Sequence, residues 1–74
     1  MPGVTPTDLD AMFSYHAPSA AQVAQYDALR AQAKALAALI LAAVPASAEQ
    51  TLAVRHVQQA VMFANAGIAL HPTG

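Results

Sequence analysis

The sequence predicts an all-α protein in which a short N-terminal helix precedes a long antiparallel αα-hairpin, assembled into a helical homo-oligomer. Apolar residues recur at the three- and four-residue spacing of helices rather than the alternation of strands. Pro18 and Pro45 divide this pattern into three segments, and a residue with polar capping chemistry follows each proline. The two longer segments are of similar length, as expected for a helical hairpin.

The prediction of an oligomer comes from the small size of the core. The chain has 74 residues, with two tyrosines, two phenylalanines and no tryptophan, and much of its apolar content is alanine. Ordering costs roughly 1.5 kcal/mol per residue, which two alanine-rich helices are not expected to offset alone. The sequence has no cysteine for a disulfide or a thiolate metal site. Self-association is the remaining means of stabilisation.

We expect one domain with short tails. Residues 1–6 are predicted to be a flexible tail, followed by a hairpin domain over 7–70 and a second tail over 71–74. The helices are predicted at about 7–13, 19–44 and 47–70. Thr7 is the expected cap of the first helix, with Asp8 and Asp10 in its first turn.

The second helix is predicted to begin with Pro18 at its first position and a capping box formed by Ser19 and Gln22. Pro45 ends it. Its expected contact surface towards the third helix has heptad-like spacing and comprises Tyr26, Leu29, Ala33, Leu36, Ile40 and Ala43.

The third helix is predicted to begin with a second capping box, formed by Ser47 and Gln50. It carries two apolar stripes. One runs through Leu52, Phe63, Ala66 and Leu70, and the other through Val54, Val57, Val61, Ala64 and Ile68. We expect such a wide apolar surface to pack both on the preceding helix and on other copies of the chain.

Charge and composition exclude several functions. Three Lys and Arg residues and a net charge of −1 are too little for a protein that coats or reads DNA. The longest apolar run is too short to span a bilayer, and the N-terminus lacks a signal-peptide pattern, which favours the cytosol. His16, His56 and His71 lack the spacing of metal ligands. No nucleophile lies near a base in sequence, so we expect neither an enzyme nor a cofactor.

Two polar features have open interpretations. Arg30 and Lys34 lie one turn apart, so either an anion binds there or the two cations belong to a solvated face with an Asp27–Arg30 pair. Asn65 lies in an apolar helix, where its intrinsic preference is poor. It either projects into a crevice between subunits, as Arg55 would, or is a buried residue that fixes register.

Five segments together resemble one family. They are Phe13–Pro18, Tyr26–Arg30, Lys34–Ala37, Pro45–Glu49 and Ala60–Ala69, and they cover about residues 12–70. In this order and spacing they resemble small bacteriophage and prophage proteins with a shared helical-hairpin domain. The family includes the anti-CBASS nucleotide sponges and the related anti-Thoeris sponges.

The resemblance implies that the protein is encoded by a phage. It would sequester cyclic oligonucleotide signals in the cytoplasm of the infected bacterium, without cleaving them, so that CBASS effectors stay inactive. Its ligands would be cyclic dinucleotides such as cGAMP, or also cyclic trinucleotides, held between the subunits of an oligomer, a hexamer in the best-known branch. One alternative is a sponge for the cyclic ADP-ribose signals of Thoeris. Another is a structural helical oligomer that binds a protein partner.

By similarity to the anti-CBASS branch, Tyr15 is the residue that stacks on a base and Arg30 is the phosphate partner. Lys34 is a second cation for the same anion, and His16 and Pro18 shape the pocket wall. Arg55, His56 and Asn65 are candidates for a second site or for the subunit seam. The chain departs from the family pattern at three positions, where Phe63 replaces a tryptophan, Leu70 an arginine and Arg55 a threonine.

Overall fold

The computed structural model describes residues 3–15 and 17–71. Within this part of the chain all regular structure is helical: α1 spans Pro6–Met12, α2 spans Ala20–Ala43 and α3 spans Ala48–Leu70. The predicted all-α class, with a short helix before a long helical hairpin, is confirmed. At 1.5 Å per residue, the 24 residues of α2 and the 23 of α3 make rods of nearly equal length.

Helix α1 begins earlier than predicted. Its cap is Thr5, with Pro6 at the first helical position, so Thr7 was wrong as the cap. The Thr5 side chain accepts a hydrogen bond from the Asp8 amide at 3.2 Å, and the Thr5 amide donates to Asp8 Oδ2 at 2.8 Å. Asp8 therefore belongs to a complete capping box. The bond from the Thr5 amide favours the charged carboxylate, and this amide, followed by the Thr5 side chain, lowers the pKa of Asp8.

The predicted capping box of α2 is confirmed. The Ser19 hydroxyl accepts from the Gln22 amide at 3.1 Å, and the Ser19 amide donates to Gln22 Oε1 at 2.9 Å. Pro18 was wrong as the first helical residue, because Ser19 is the cap and Pro18 therefore lies outside the helix. The helix ends at Ala43, and Val44, whose backbone is extended, precedes Pro45.

The predicted capping box of α3 is only half formed. The Gln50 amide donates to Ser47 Oγ at 3.1 Å, as predicted. The Gln50 side chain does not return to the Ser47 amide; its Nε2 donates to Val44 O at 2.8 Å and to Leu41 O at 3.4 Å. Gln50 thus satisfies carbonyls at the C-terminal end of α2 that the helix itself leaves unpaired.

The two long helices pack antiparallel along a seam of half-buried side chains. On α3 the seam uses the predicted Val54–Ile68 stripe, and Ala53, Asn65 and Gly67 are also half-buried. On α2 it follows Tyr26, Leu29, Ala33, Ala37, Ile40 and Val44. Leu36 and Ala43 were wrong as seam residues, and the Leu36 side chain is 49% exposed. A straight helix of 3.6 residues per turn drifts away from an exact heptad, which moves the contact to Ala37 and Val44.

The far end of the hairpin has its own cross-helix hydrogen bond. Gln22 Nε2, near the start of α2, donates to Ile68 O, near the end of α3, at 3.1 Å. Helix α1 lies beside this end, since Ala11 and Met12 line a cavity together with Leu70. Ser14 and Tyr15, which follow α1, line the same cavity and therefore lie close to the last turn of α3.

A single copy leaves its apolar side chains exposed. No residue in the described part of the chain is fully buried. The accessible surface is 5918 Å², whereas a compact monomer of this mass would expose about 4300 Å². The other α3 stripe lies on the outside, with Leu52 56% and Phe63 77% exposed. None of the described helices combines the length and apolarity needed to cross a bilayer.

Candidate ligand-binding surfaces

One cavity contains Tyr15 and is called here the tyrosine cavity. It has a volume of about 390 Å³ and is lined by Ala11, Met12, Ser14, Tyr15, Ala66, Ala69 and Leu70. Tyr15 follows the end of α1, where the Ser14 hydroxyl donates to the Asp10 carbonyl. The residue is 88% exposed. Its aromatic face is therefore free to stack on a planar ligand in a cavity whose α3 wall is made of the apolar residues Ala66, Ala69 and Leu70.

A second depression, the cationic groove, runs along one side of the α2–α3 seam. It has a volume of about 300 Å³ and is lined by Arg30, Ala33, Lys34, Ala37, Val54, Val57, Gln58, Val61 and Met62. Arg30 Nη1 donates to Asp27 Oδ1 at 3.3 Å, with side chains 71% and 63% exposed, which confirms the predicted pair. An exposed pair of this kind contributes about 0–1 kcal/mol. A phosphate would therefore compete for this guanidinium at little cost.

A third depression, the apolar groove, lies on the opposite side of the same seam. Its volume is about 320 Å³, and its lining is Leu29, Gln32, Ala33, Leu36, Val57, Ala60, Val61 and Ala64. No charged side chain lines it. Gln32 is the one lining side chain with polar atoms. This groove suits an apolar helix surface and has no group to bind an anion.

The structure does not bring the two principal predicted residues into one cleft. Tyr15 lines the tyrosine cavity, whereas Arg30 and Lys34 line the cationic groove, and these two depressions share no residue. Pro18 is exposed just before α2, and His16 lies outside the described residues. A site that uses both Tyr15 and Arg30 would therefore have to join two separate depressions.

The candidates on α3 are separate from one another. Arg55 and His56 are exposed and line neither the tyrosine cavity nor the two grooves. Asn65 is half-buried, and its Oδ1 is inaccessible to solvent without accepting a hydrogen bond from any group in the described part of the chain. An acceptor left in this state costs roughly 1–3 kcal/mol. Asn65 is therefore the α3 candidate whose local environment is unsatisfied in a single copy.

The sequence predictions missed the neutral residues of these surfaces. Gln58 and Met62 line the cationic groove, and Ala66 and Ala69 form the α3 wall of the tyrosine cavity. Their spacing along α3 was a usable signal, because residues three or four apart share a face. Gln22 was predicted only as a capping residue, although its side chain also bonds to α3.

These surfaces define a class of protein, a small helical hairpin that presents exposed aromatic and cationic side chains beside shallow cavities. Within residues 3–15 and 17–71, no three His, Asp or Glu side chains lie close enough together to hold a metal ion. The aromatic and cationic groups are exposed or line shallow depressions. They are suited to contacts that are completed by another molecule.

The family is shown by a comparison with protein-family models. The model described as "Acb2/Tad1, hairpin domain" matches residues 6–69. The chain belongs to this family, which is the family of anti-CBASS and anti-Thoeris sponges. Its members are binding proteins rather than known enzymes. Comparisons with curated proteins and with solved structures found no match.

Proposed function

We propose that this protein is a phage-encoded sponge that binds cyclic oligonucleotide immune signals without cleaving them and thereby keeps CBASS effectors inactive. The observation that carries the proposal is the family match over residues 6–69, which includes nearly all of the three helices. The family suggests a sponge for cyclic nucleotide signals. We assign the protein to the cytoplasm of the infected bacterium, where those signals are made.

We propose a homo-oligomer, a hexamer by similarity to the best-known branch of the family. The support is the absence of any fully buried residue in the described part of a single copy. Leu36, Leu39, Leu52, Met62 and Phe63 are each about half or more exposed. Burial of apolar surface contributes about 25 cal/mol per Å², so covering these side chains is the largest stabilisation open to the chain.

The principal site is proposed to form where the tyrosine cavity of one copy meets the cationic groove of another. Tyr15 would stack on a base, which contributes about 1–3 kcal/mol per base. Arg30 would form paired, charge-assisted hydrogen bonds with a phosphate, and Lys34 would add a point charge to the same anion. His16 and Pro18 are assigned to the pocket wall. This arrangement uses both predicted residues, although a single copy holds them apart.

Arg55, His56 and Asn65 are proposed to serve a second site or the subunit seam. Arg55 and His56 are adjacent and exposed on α3, so symmetry would multiply their donors around an axis. Asn65 needs a donor for its Oδ1, which either a neighbouring copy or a ligand would supply. A cyclic trinucleotide, with three phosphates, matches a site of repeated cations better than a cyclic dinucleotide does.

The direct test is isothermal titration calorimetry of the purified protein against cyclic dinucleotides, cyclic trinucleotides and cyclic ADP-ribose isomers, with native mass spectrometry to count subunits and ligands. We expect a cyclic dinucleotide such as cGAMP to bind and to be recovered intact after heating. At a hundredfold excess over Kd, binding should add about 2.7 kcal/mol of stability.

The same measurement separates the alternatives. Heat of binding only with cyclic ADP-ribose isomers would identify an anti-Thoeris sponge. Binding of none of the ligands, by an oligomer of defined size, would favour a structural protein with a protein partner. Recovery of a linear nucleotide would mean that the protein is an enzyme and would contradict the proposal.

Tyr15→Ala and Tyr15→Phe form a matched pair for the stacking role. The alanine variant removes the ring, so we expect a loss of affinity of roughly 5- to 150-fold. The phenylalanine variant keeps the ring and should bind nearly as well as the natural protein. Because Tyr15 is 88% exposed, neither change should lower the melting temperature of the ligand-free protein appreciably. Equal binding by all three proteins would exclude Tyr15 from the site.

A further inference from the structure

Two glutamines hold the two ends of the hairpin in the same way. Gln22 and Gln50 each occupy the third position of a long helix, where the backbone amide is bonded to the capping serine. Each side-chain Nε2 then donates to a carbonyl near the C-terminal end of the other helix, Ile68 O for Gln22 and Val44 O for Gln50. Both therefore satisfy a carbonyl that a helix end leaves without an intrahelical partner.

Gln22 differs from Gln50 because its side chain is engaged at both ends. Its Oε1 accepts from the Ser19 amide at 2.9 Å, while its Nε2 donates to Ile68 O at 3.1 Å. The bond to Ile68 is partly buried and joins residues 46 positions apart in sequence. One amide group thus fixes the cap of α2 and the last turn of α3 relative to each other.

The two groups that Gln22 joins, the Ser19 amide and the Ile68 carbonyl, lie on either side of the tyrosine cavity. Ser19 follows directly on the segment 15–18 that begins with Tyr15. Ile68 lies on α3 between Ala66 and Ala69, which form the cavity wall. On the other side, Ser14, the residue before Tyr15, is attached to α1 because its hydroxyl donates to the Asp10 carbonyl. Gln22 is the side chain that connects the chain leaving Tyr15 to the wall facing it.

We propose that Gln22 is a positioning residue for Tyr15. Its two hydrogen bonds set the distance between Ser19, four residues after Tyr15, and the last turn of α3, and so the width of the slot beside Tyr15 that a planar base enters. The part of the proposal that concerns ligand affinity rests on the proposed function. The part that concerns the order of Tyr15 does not depend on it.

Gln22→Glu isolates the bond to α3. Glutamate at this position still accepts from the Ser19 amide, because a capping box is built with either residue. A carboxylate cannot donate to Ile68 O, so the cross-helix bond is lost. Gln50→Glu is the matched control, since it removes the same type of bond at the end of the hairpin that lacks Tyr15.

Tyr15 fluorescence reports the order of this side chain and does not depend on the overall stability of the fold. The chain has two tyrosines and no tryptophan, so in a Tyr26→Phe background Tyr15 is the only emitting residue. We expect Gln22→Glu to lower the steady-state anisotropy of Tyr15 and to increase its quenching by acrylamide. Gln50→Glu should leave both unchanged. Both variants should lower the melting temperature similarly, by roughly 5 °C.

The effect on ligand affinity is measured by calorimetry, with cyclic GMP–AMP titrated into each variant. We expect affinity to fall about tenfold in Gln22→Glu, while Gln50→Glu binds as the parent does. Equal effects of Gln22→Glu and Gln50→Glu on Tyr15 anisotropy would overturn the proposal, as would no effect of either. If the parent protein does not bind the probe, the proposed function fails for this ligand, whereas the fluorescence comparison still decides the role of Gln22.

Discussion

The two sides of the α2–α3 seam have nearly equal space and different chemistry. The cationic groove and the apolar groove have volumes of about 300 and 320 Å³, and they share Ala33, Val57 and Val61 as their floor. Arg30 and Lys34 line the first groove, while Leu29 and Leu36 line the second. The two grooves therefore differ in the residues on the rims of the seam rather than in their size.

This difference would allow a short chain to support both the proposed assembly and the proposed ligand binding. An apolar rim is stabilised when another helix covers it, because water is released from the surface. A cationic rim must stay hydrated or meet an anion, because burying an unpaired charge is costly. One side of the hairpin is thus suited to another copy, and the other side to a phosphate.

The largest effect is expected from Leu36→Glu, which places a carboxylate in the lining of the apolar groove. A carboxylate there would have to be buried without a partner in the assembly, which costs several kcal/mol. We expect native mass spectrometry to show monomers or smaller assemblies, and ligand binding to be lost with them. Ala35→Glu is the control, since Ala35 is exposed and lines neither groove. An unchanged subunit count in Leu36→Glu would place the interface elsewhere.

The next effect tests the cationic groove through Arg30 and Asp27. Arg30→Ala removes the proposed phosphate partner, and the loss of a charge-assisted bond should weaken ligand affinity by roughly 10- to 100-fold. Asp27→Ala frees the same guanidinium, so affinity should stay the same or increase. Both variants should keep nearly the parent melting temperature, because the pair is exposed. Calorimetry and thermal denaturation measure the two quantities. Equal affinity of Arg30→Ala and the parent would remove Arg30 from the site.

A smaller effect is expected at Asn65. Its neighbour in sequence, Ala64, lines the apolar groove. Asn65→Ala removes an inaccessible acceptor without a described partner and replaces a poor helix former with the best one. If neither a neighbouring copy nor a ligand donates to Oδ1, this change should raise the melting temperature by roughly 5 °C, which would contradict the role proposed for Asn65. A decrease in the assembled protein would show instead that a neighbouring copy or a ligand donates to Oδ1. Ligand-free and ligand-saturated melts distinguish those two donors.

The smallest effect concerns Asp8, which lines neither groove and serves as a control for both. Its pKa in the folded state is lowered below the usual 3.8 by hydrogen bonds from Thr5. The stabilisation of α1 is therefore complete above that value and is lost as the pH falls through the lowered pKa. The Thr5 amide shift, followed by NMR, should report this titration. In Asp8→Asn the side-chain oxygen still accepts, so the titration of that amide should disappear. The number of subunits in the assembly should not change as the pH passes through this titration.

Much of the fold could be predicted because local chemistry determines it. Ser19 and Gln22 cap α2 as predicted, and Pro45 follows its end, since capping and proline geometry depend on neighbours in sequence. The Val54–Ile68 stripe packs on α2 as helical periodicity indicates. The cap of α1 was missed, because Thr5 and Thr7 each precede acidic residues and only the actual hydrogen bonds identify the capping residue. Family membership was also readable, since it follows from residues at fixed spacing.

The sequence by itself determined three helical segments, their approximate ends and the family. Only the tertiary structure decided that Ala37 rather than Leu36 faces α3, because that depends on how a helix of 3.6 residues per turn drifts along its partner. It also decided that Gln22 and Gln50 bond across the hairpin, since such bonds join residues distant in sequence. Finally, it separated Tyr15 from Arg30 within one copy, because the two lie on different elements whose relative placement no local pattern encodes.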